Sequence, residues 1–173
     1  MRYVRLCMIA RLMLGCEPKT KSDFTHFFSL SSFFEQEAAR LSAQSGPVTK
    51  QVQYNSEVEQ KQTTITDWKN ELSAFSQSDI NKPAWRDSYR MKQDGMRICY
   101  EALDSTLRTR SICIQKNVSG KATQVDIVNQ TSNMLYQSRE QLVYIPDSLY
   151  RITKQQHVIF IGDNRYQISG RFQ

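Results

Sequence analysis

The chain has 173 residues, a net charge of +6, two histidines, six glycines and four cysteines. The length suits one domain with a real core. The two histidines lie far apart, and there is no C-x-x-C, H-E-x-x-H, G-x-G-x-x-G or G-x-x-x-x-G-K, so the spacings of ordinary zinc sites and of glycine-rich phosphate loops are absent. The arginines are scattered among acids, which is the pattern of a mixed solvated surface and not of a nucleic-acid face.

The chain opens with Arg2 and Arg5, then an apolar block from Leu6 to Leu14, then Gly15 and Cys16. A basic start, a short apolar stretch and a small residue before the end form the layout of an export signal. The Leu12-Met13-Leu14-Gly15-Cys16 ending resembles the bacterial lipobox, in which the cysteine sulfur takes a lipid and becomes the new N-terminus. Arg11 interrupts the block at a cost of about 2.5–3.5 kcal/mol on insertion scales. The competing reading of residues 1–16 is an ordinary buried helix start or a disordered tail. The favoured expectation is a signal over 1–16, a lipid attached at Cys16, a polar tether over 17–23 and one domain over 24–173. The segment 1–16 brings three arginines and no acid, so its removal lowers the charge of +6 by three. Nowhere is there a run of about 18 apolar residues, so the membrane is expected as a surface of attachment and not as something a helix crosses.

Leu30, Phe33, Phe34, Ala38 and Leu41 recur at helical spacing, with Phe24, Phe27 and Phe28 as a backward extension. Ser32 and Glu35 have capping-box spacing, and Gly46-Pro47 ends the helix. Val48 to Ile65 reads as a polar hairpin about Asn55-Ser56. A second helix starts at the Thr66-Asp67 cap, carries Trp68, Leu72 and Phe75, and ends at Asp79 to Pro83.

From Trp85 onward the chain reads as strands of about ten to twelve residues. The expected turns lie at Asp94-Gly95, Asp104-Ser105, Asn117 to Gly120, Ser132-Asn133, Pro146-Asp147 and Gly162 to Asn164. The last strand alternates Tyr166, Ile168, Gly170 and Phe172 against Arg165, Gln167, Ser169 and Arg171, so one face is buried and the other wet. The expected fold is α+β: a strongly curved, half-barrel-like antiparallel meander with two amphipathic helices on its concave face.

A Gly-Cys signal, a Phe-Phe-x-x-Glu helix, a polar hairpin, a Trp helix, the run Ile80-Asn81-Lys82-Pro83-Ala84-Trp85 and a strand meander together resemble a group of small Bacteroidetes lipoproteins of unknown function. The likeness is most specific over Asp79 to Trp85. It implies an envelope location and no activity; the expected place is the outer membrane, facing the periplasm or the cell surface.

Cys99 and Cys113 lie symmetrically about a turn near residue 106, which makes them a candidate disulfide, with two free buried thiols as the alternative. Asn117-Val118-Ser119 and Asn129-Gln130-Thr131 match the glycosylation pattern, but Asn117 is better explained as a turn residue. No catalytic constellation, metal ligand set or cofactor motif emerges, so the expectation is a non-enzymatic protein acting by binding or assembly. The alternative is a carrier of a lipid or other apolar ligand between sheet and helices. Phe27, Phe28, Phe33, Phe34, Trp68, Phe75, Trp85, Tyr144, Phe160 and Tyr166 are candidates to line such a cavity, or to fill the core.

Overall fold

The computed structural model describes residues 27–173. The expected signal, the lipid site at Cys16 and the tether at 17–23 lie outside the described residues.

Helix α1 spans Leu30–Gln44. Its cap is Ser29, whose side chain accepts from the Ser32 amide, so Ser32 and Glu35 do not form the expected capping box. A second acceptor explains the shift. Asp79 takes the Ser31 amide at 2.7 Å and the Ser29 hydroxyl at 3.4 Å, so the free donors of the first turn are met from 48 residues away. Phe27 and Phe28 precede the helix and do not extend it. The helix ends where Ser45 turns left-handed (φ 46°) and returns its amide to the Leu41 carbonyl.

Strands β1 (Pro47–Tyr54) and β2 (Glu57–Thr64) form the polar hairpin about Asn55-Ser56. The second helix is two short pieces, α2 (Trp68–Glu71) and α3 (Ser73–Ser76), divided at Leu72 (φ −93°, ψ 7°). Asp67 caps α2 through the Asn70 amide, and Trp68, Leu72 and Phe75 are all buried. A 3-10 turn over Pro83–Trp85 follows.

The meander is β3 (Tyr89–Asp94), β4 (Arg97–Ala102), β5 (Thr109–Lys116), β6 (Ala122–Ser132), β7 (Tyr136–Ile145), β8 (Leu149–Val158) and β9 (Gly162–Phe172). β6 to β9 have the expected length, whereas β3 and β4 have six residues each. The β3–β4 turn is Gly95-Met96, one residue beyond the expected position, with Gly95 at φ 53° in the first central place.

All nine strands join in one antiparallel sheet of order β2-β1-β9-β8-β7-β6-β5-β4-β3. The N-terminal hairpin therefore pairs with the last strand, and the sheet is not closed: β2 and β3 are its edges. This is an α+β fold.

Alternation selects the buried face. Val48, Tyr100, Ile112, Ile114, Val125, Ile127, Leu142, Tyr144 and Tyr150 share it and form one core with Leu30, Phe34, Leu41, Trp68, Phe75 and Ile80. The rings interlock: Phe34 meets Phe75 at 4.9 Å and Tyr144 at 5.1 Å, Phe27 meets Tyr100 at 5.3 Å, and Trp68 meets Phe172 at 5.7 Å. Two of the polar ties that enter this core join a phenol to a carboxylate. The Tyr144 hydroxyl donates to Glu37 at 2.5 Å, and Glu37 is held by Arg40 at 2.7 Å. The Tyr150 hydroxyl donates to Glu71, which Lys50 neutralises at 2.7 Å. Burial pushes both phenols well above their ordinary value, helped by the carboxylate each one faces.

Of the aromatic residues expected to line a cavity or fill the core, Phe160 and Tyr166 do neither. Phe160 is 99% exposed and Tyr166 lies on the surface, stacked on Tyr54 at 4.8 Å. The expected turn at Gly162 to Asn164 is also displaced. Those residues begin β9, and the turn is Ile159-Phe160-Ile161, with Val158 opposite Gly162. The left-handed conformations at this turn fall on Phe160 (φ 75°) and Gly162 (φ 96°).

Candidate functional site

The antiparallel register assembles a row of polar side chains from four strands. Gln130 of β6 faces Arg139 of β7, Arg139 faces Gln155 of β8, and Gln155 faces Arg165 of β9. Their alternation is opposite to that of Leu142, Tyr144 and Tyr150, so the row points away from the helices. Two strand spacings separate Arg139 from Arg165, about 10 Å between backbones.

One rung nearer the turn, Gln137 faces His157 and His157 faces Asp163, with His157 Nδ1 at 2.7 Å from Asp163 Oδ1. Asn55, in the β1–β2 turn, closes one side. It exchanges two hydrogen bonds with the Arg165 backbone, its amide donating to the Arg165 carbonyl and its Oδ1 accepting the Arg165 amide. Together with Ser138, Gln156 and Asn164 these residues line an open pocket of about 550 Å³, within the size range of small-ligand sites.

The electrostatics are asymmetric. Asp163, the one carboxylate in the lining, is already engaged by His157. Neither the Arg139 nor the Arg165 guanidinium has a hydrogen-bond or ion-pair partner among the described residues. Two unpaired forks of donors flanked by Gln and Asn amides make a surface that offers hydrogen bonds to oxygen-rich anions such as phosphates and carboxylates. Among the described residues, no group of three His, Cys, Asp or Glu side chains could hold a metal ion. No described helix is long and apolar enough to cross a membrane.

The residues singled out from the sequence lie elsewhere. Cys99 of β4 and Cys113 of β5 are directly opposite, 4.1 Å apart at Cα, and are joined as a disulfide. The bond pins two neighbouring strands on the face away from the helices. Asn117 organises its turn, its Oδ1 accepting from the Ser119 amide and hydroxyl and the Lys121 amide. Asn129 is buried and donates to Ser78 and Glu140, so it is closed to glycosylation.

The segment Asp79 to Trp85, which carries the resemblance most specifically, clamps the start of α1. Besides the Asp79 contacts, Asn81 donates to the Phe28 carbonyl at 3.3 Å, and the Lys82 ammonium sits 4.1 Å above the Trp85 ring.

The pocket row was not legible in the sequence. Its members come from four strands and align only through the register, and none belongs to a motif. Comparison with known protein families, with curated proteins and with solved structures returned no match to this chain.

Proposed function

We propose that this chain is a lipid-anchored protein of the bacterial envelope, at the outer membrane, that acts by binding rather than by catalysis. In this reading Cys16 carries the lipid, and the pocket around Arg139 and Arg165 takes an anionic, oxygen-rich group. The observation that carries the binding role is the unpaired arginine row, because charge left without a partner at the wall of a pocket favours an anion there. The disulfide supports an exported location, since such bonds persist in oxidising compartments. The anchor itself rests on the signal-like order of residues 1–16 and on the resemblance to small Bacteroidetes lipoproteins.

The finer architecture belongs to the same proposal: a meander that coils into a half-barrel around its helices. Ring contacts reaching from Tyr100 on β4 to Phe172 on β9 support it. The carrier reading draws less support. Phe34, Phe75, Leu142 and Tyr144 fill the space between α1 and the sheet, and the 550 Å³ pocket lies on the other face.

Metabolic labelling with a fatty acid tests the anchor: label is expected on the native chain and absent from Cys16→Ala. A thermal-shift titration with inorganic phosphate and with a uronic acid tests the pocket. Stabilisation that disappears in Arg139→Gln/Arg165→Gln is the expected result.

A further inference from the structure

The arginine row stands at the base of a projecting, apolar-tipped prong. On one flank the β1–β2 turn stops level with the row, where Asn55 bonds Arg165. On the other flank the β4–β5 loop stops level with it too, where the Gln130 amide donates to the Arg108 carbonyl at 2.7 Å. The hairpins β6–β7 and β8–β9 continue about four residues further, or about 13 Å. Their tips touch, the Ile159 amide donating to the Leu135 carbonyl at 3.1 Å.

What they present is apolar: Met134 is 91% exposed, Leu135 62%, Ile159 40%, Phe160 99% and Ile161 75%. Single exposed apolar residues are ordinary, but five joined at one tip are not. The turn also holds Phe160 at φ 75°, a conformation a bulky residue rarely adopts, and its ring stands in solvent. Beyond the row the prong carries no acid except Asp163, and that one is paired with His157.

We infer that this prong inserts its tip into a bilayer surface while Arg139 and Arg165 meet lipid headgroup phosphates. An apolar segment settles about 5–10 Å into the headgroup boundary, which places the arginine row at the level of the phosphates. A convex, apolar tip backed by unpaired cations fits an anionic lipid surface. A groove, which a peptide or helix would need, is not what the tip presents. The inference rests on the proposed anion-binding role of the row and gives that anion an identity. It does not depend on the anchor, since the prong is a second, independent membrane contact.

The test uses the chain from Glu17 onward, the expected mature sequence without an acyl group, so that neither a lipid nor the apolar block 6–14 contributes, in flotation with vesicles of phosphatidylethanolamine and phosphatidylglycerol. The parent is expected to float. Phe160→Ser/Ile161→Ser is expected to weaken binding by roughly tenfold or more, since it removes two large apolar side chains. Both positions are exposed, so an unchanged melting temperature will certify the fold. A Phe160→Trp chain quenched more by brominated lipid than the parent reads insertion directly.

Equal flotation of parent and tip variant overturns the inference. So does a parent that stays in solution, or one that instead forms a dimer abolished by Phe160→Ser/Ile161→Ser. A parent that ignores vesicles yet still responds to soluble phosphate through Arg139 and Arg165 sinks the prong and leaves the pocket standing. Flotation through the tip with no arginine-dependent phosphate response sinks the pocket instead.

Discussion

The Tyr150 ring lies across the backbone of Gly170, its partner in the β8–β9 ladder. A Cβ built on Gly170 would sit 2.2 Å from Tyr150 Cε1 and 2.4 Å from Cζ. Tyr150 is fully buried, and its hydroxyl is held by Glu71, so the ring has no free space to yield. The strand glycine is thus the seat of a core tyrosine, and the wet-dry alternation of β9 includes Gly170 for that reason.

Gly170→Ala is therefore expected to destabilise the fold by about 1–3 kcal/mol or more, although Gly→Ala in an open strand would be neutral to favourable. Denaturant unfolding measures the loss. In a double-mutant cycle, Tyr150→Ala should erase most of the alanine penalty, and simple additivity would refute the packing explanation.

Glu37 and Tyr144 form a second tie, between α1 and β7. Glu37→Ala removes the acceptor of a buried hydroxyl and should cost about 1–3 kcal/mol. Tyr144→Phe should cost less, because Glu37 keeps its 2.7 Å pair with Arg40. Urea midpoints of the two variants give the order, and the reverse order would contradict this account of the tie.

Buried phenols make the fold sensitive to alkali. Burial pushes the Tyr89 hydroxyl up to about 12 from 10.0, and pushes Tyr144 and Tyr150 higher still. The folded chain then holds protons that the unfolded chain releases, so stability falls as pH rises. The contribution is whole below about pH 10, the unfolded tyrosine value, and declines from there through pH 12 and beyond. Melting temperatures followed across that window should fall, and Tyr144→Phe/Tyr150→Phe should flatten the slope.

The Cys99–Cys113 bond closes a loop of sequence separation 14, for which chain-entropy reasoning gives about 3 kcal/mol. Cys99→Ser/Cys113→Ser should lower stability by an amount of that order. Intact-mass measurement should show a gain of two hydrogens on reduction of the native chain. No mass difference would mean that the thiols are free.

Much of the fold was legible because the deciding physics is local. The apolar spacing of α1 and the recurrence of Ile168, Gly170 and Phe172 announce which side is buried, although Tyr166, the first of that series, lies at the surface, and Asn55-Ser56 marks its own turn. The misreadings are of two kinds, partners distant in sequence and turns whose residues do not carry the usual turn signal. Ser29 outcompetes Ser32 as the cap because Asp79 arrives to share the first turn. The β8–β9 turn consists of Ile159, Phe160 and Ile161, residues that read as strand, while the turn-forming Gly162 to Asn164 lie within β9. The candidate site is hidden for the same reason, since Gln130, Arg139, Gln155 and Arg165 become neighbours only when four strands take their register.

Binding at that row is tested most directly by following backbone amide shifts while inorganic phosphate is added to the native chain and to Arg139→Gln/Arg165→Gln. Saturable shifts centred on residues 130, 139, 155 and 165, absent from the double variant, are the expected result. Shifts that are missing from the native chain, or that persist unchanged without the two arginines, would contradict an anion site on this face of the sheet.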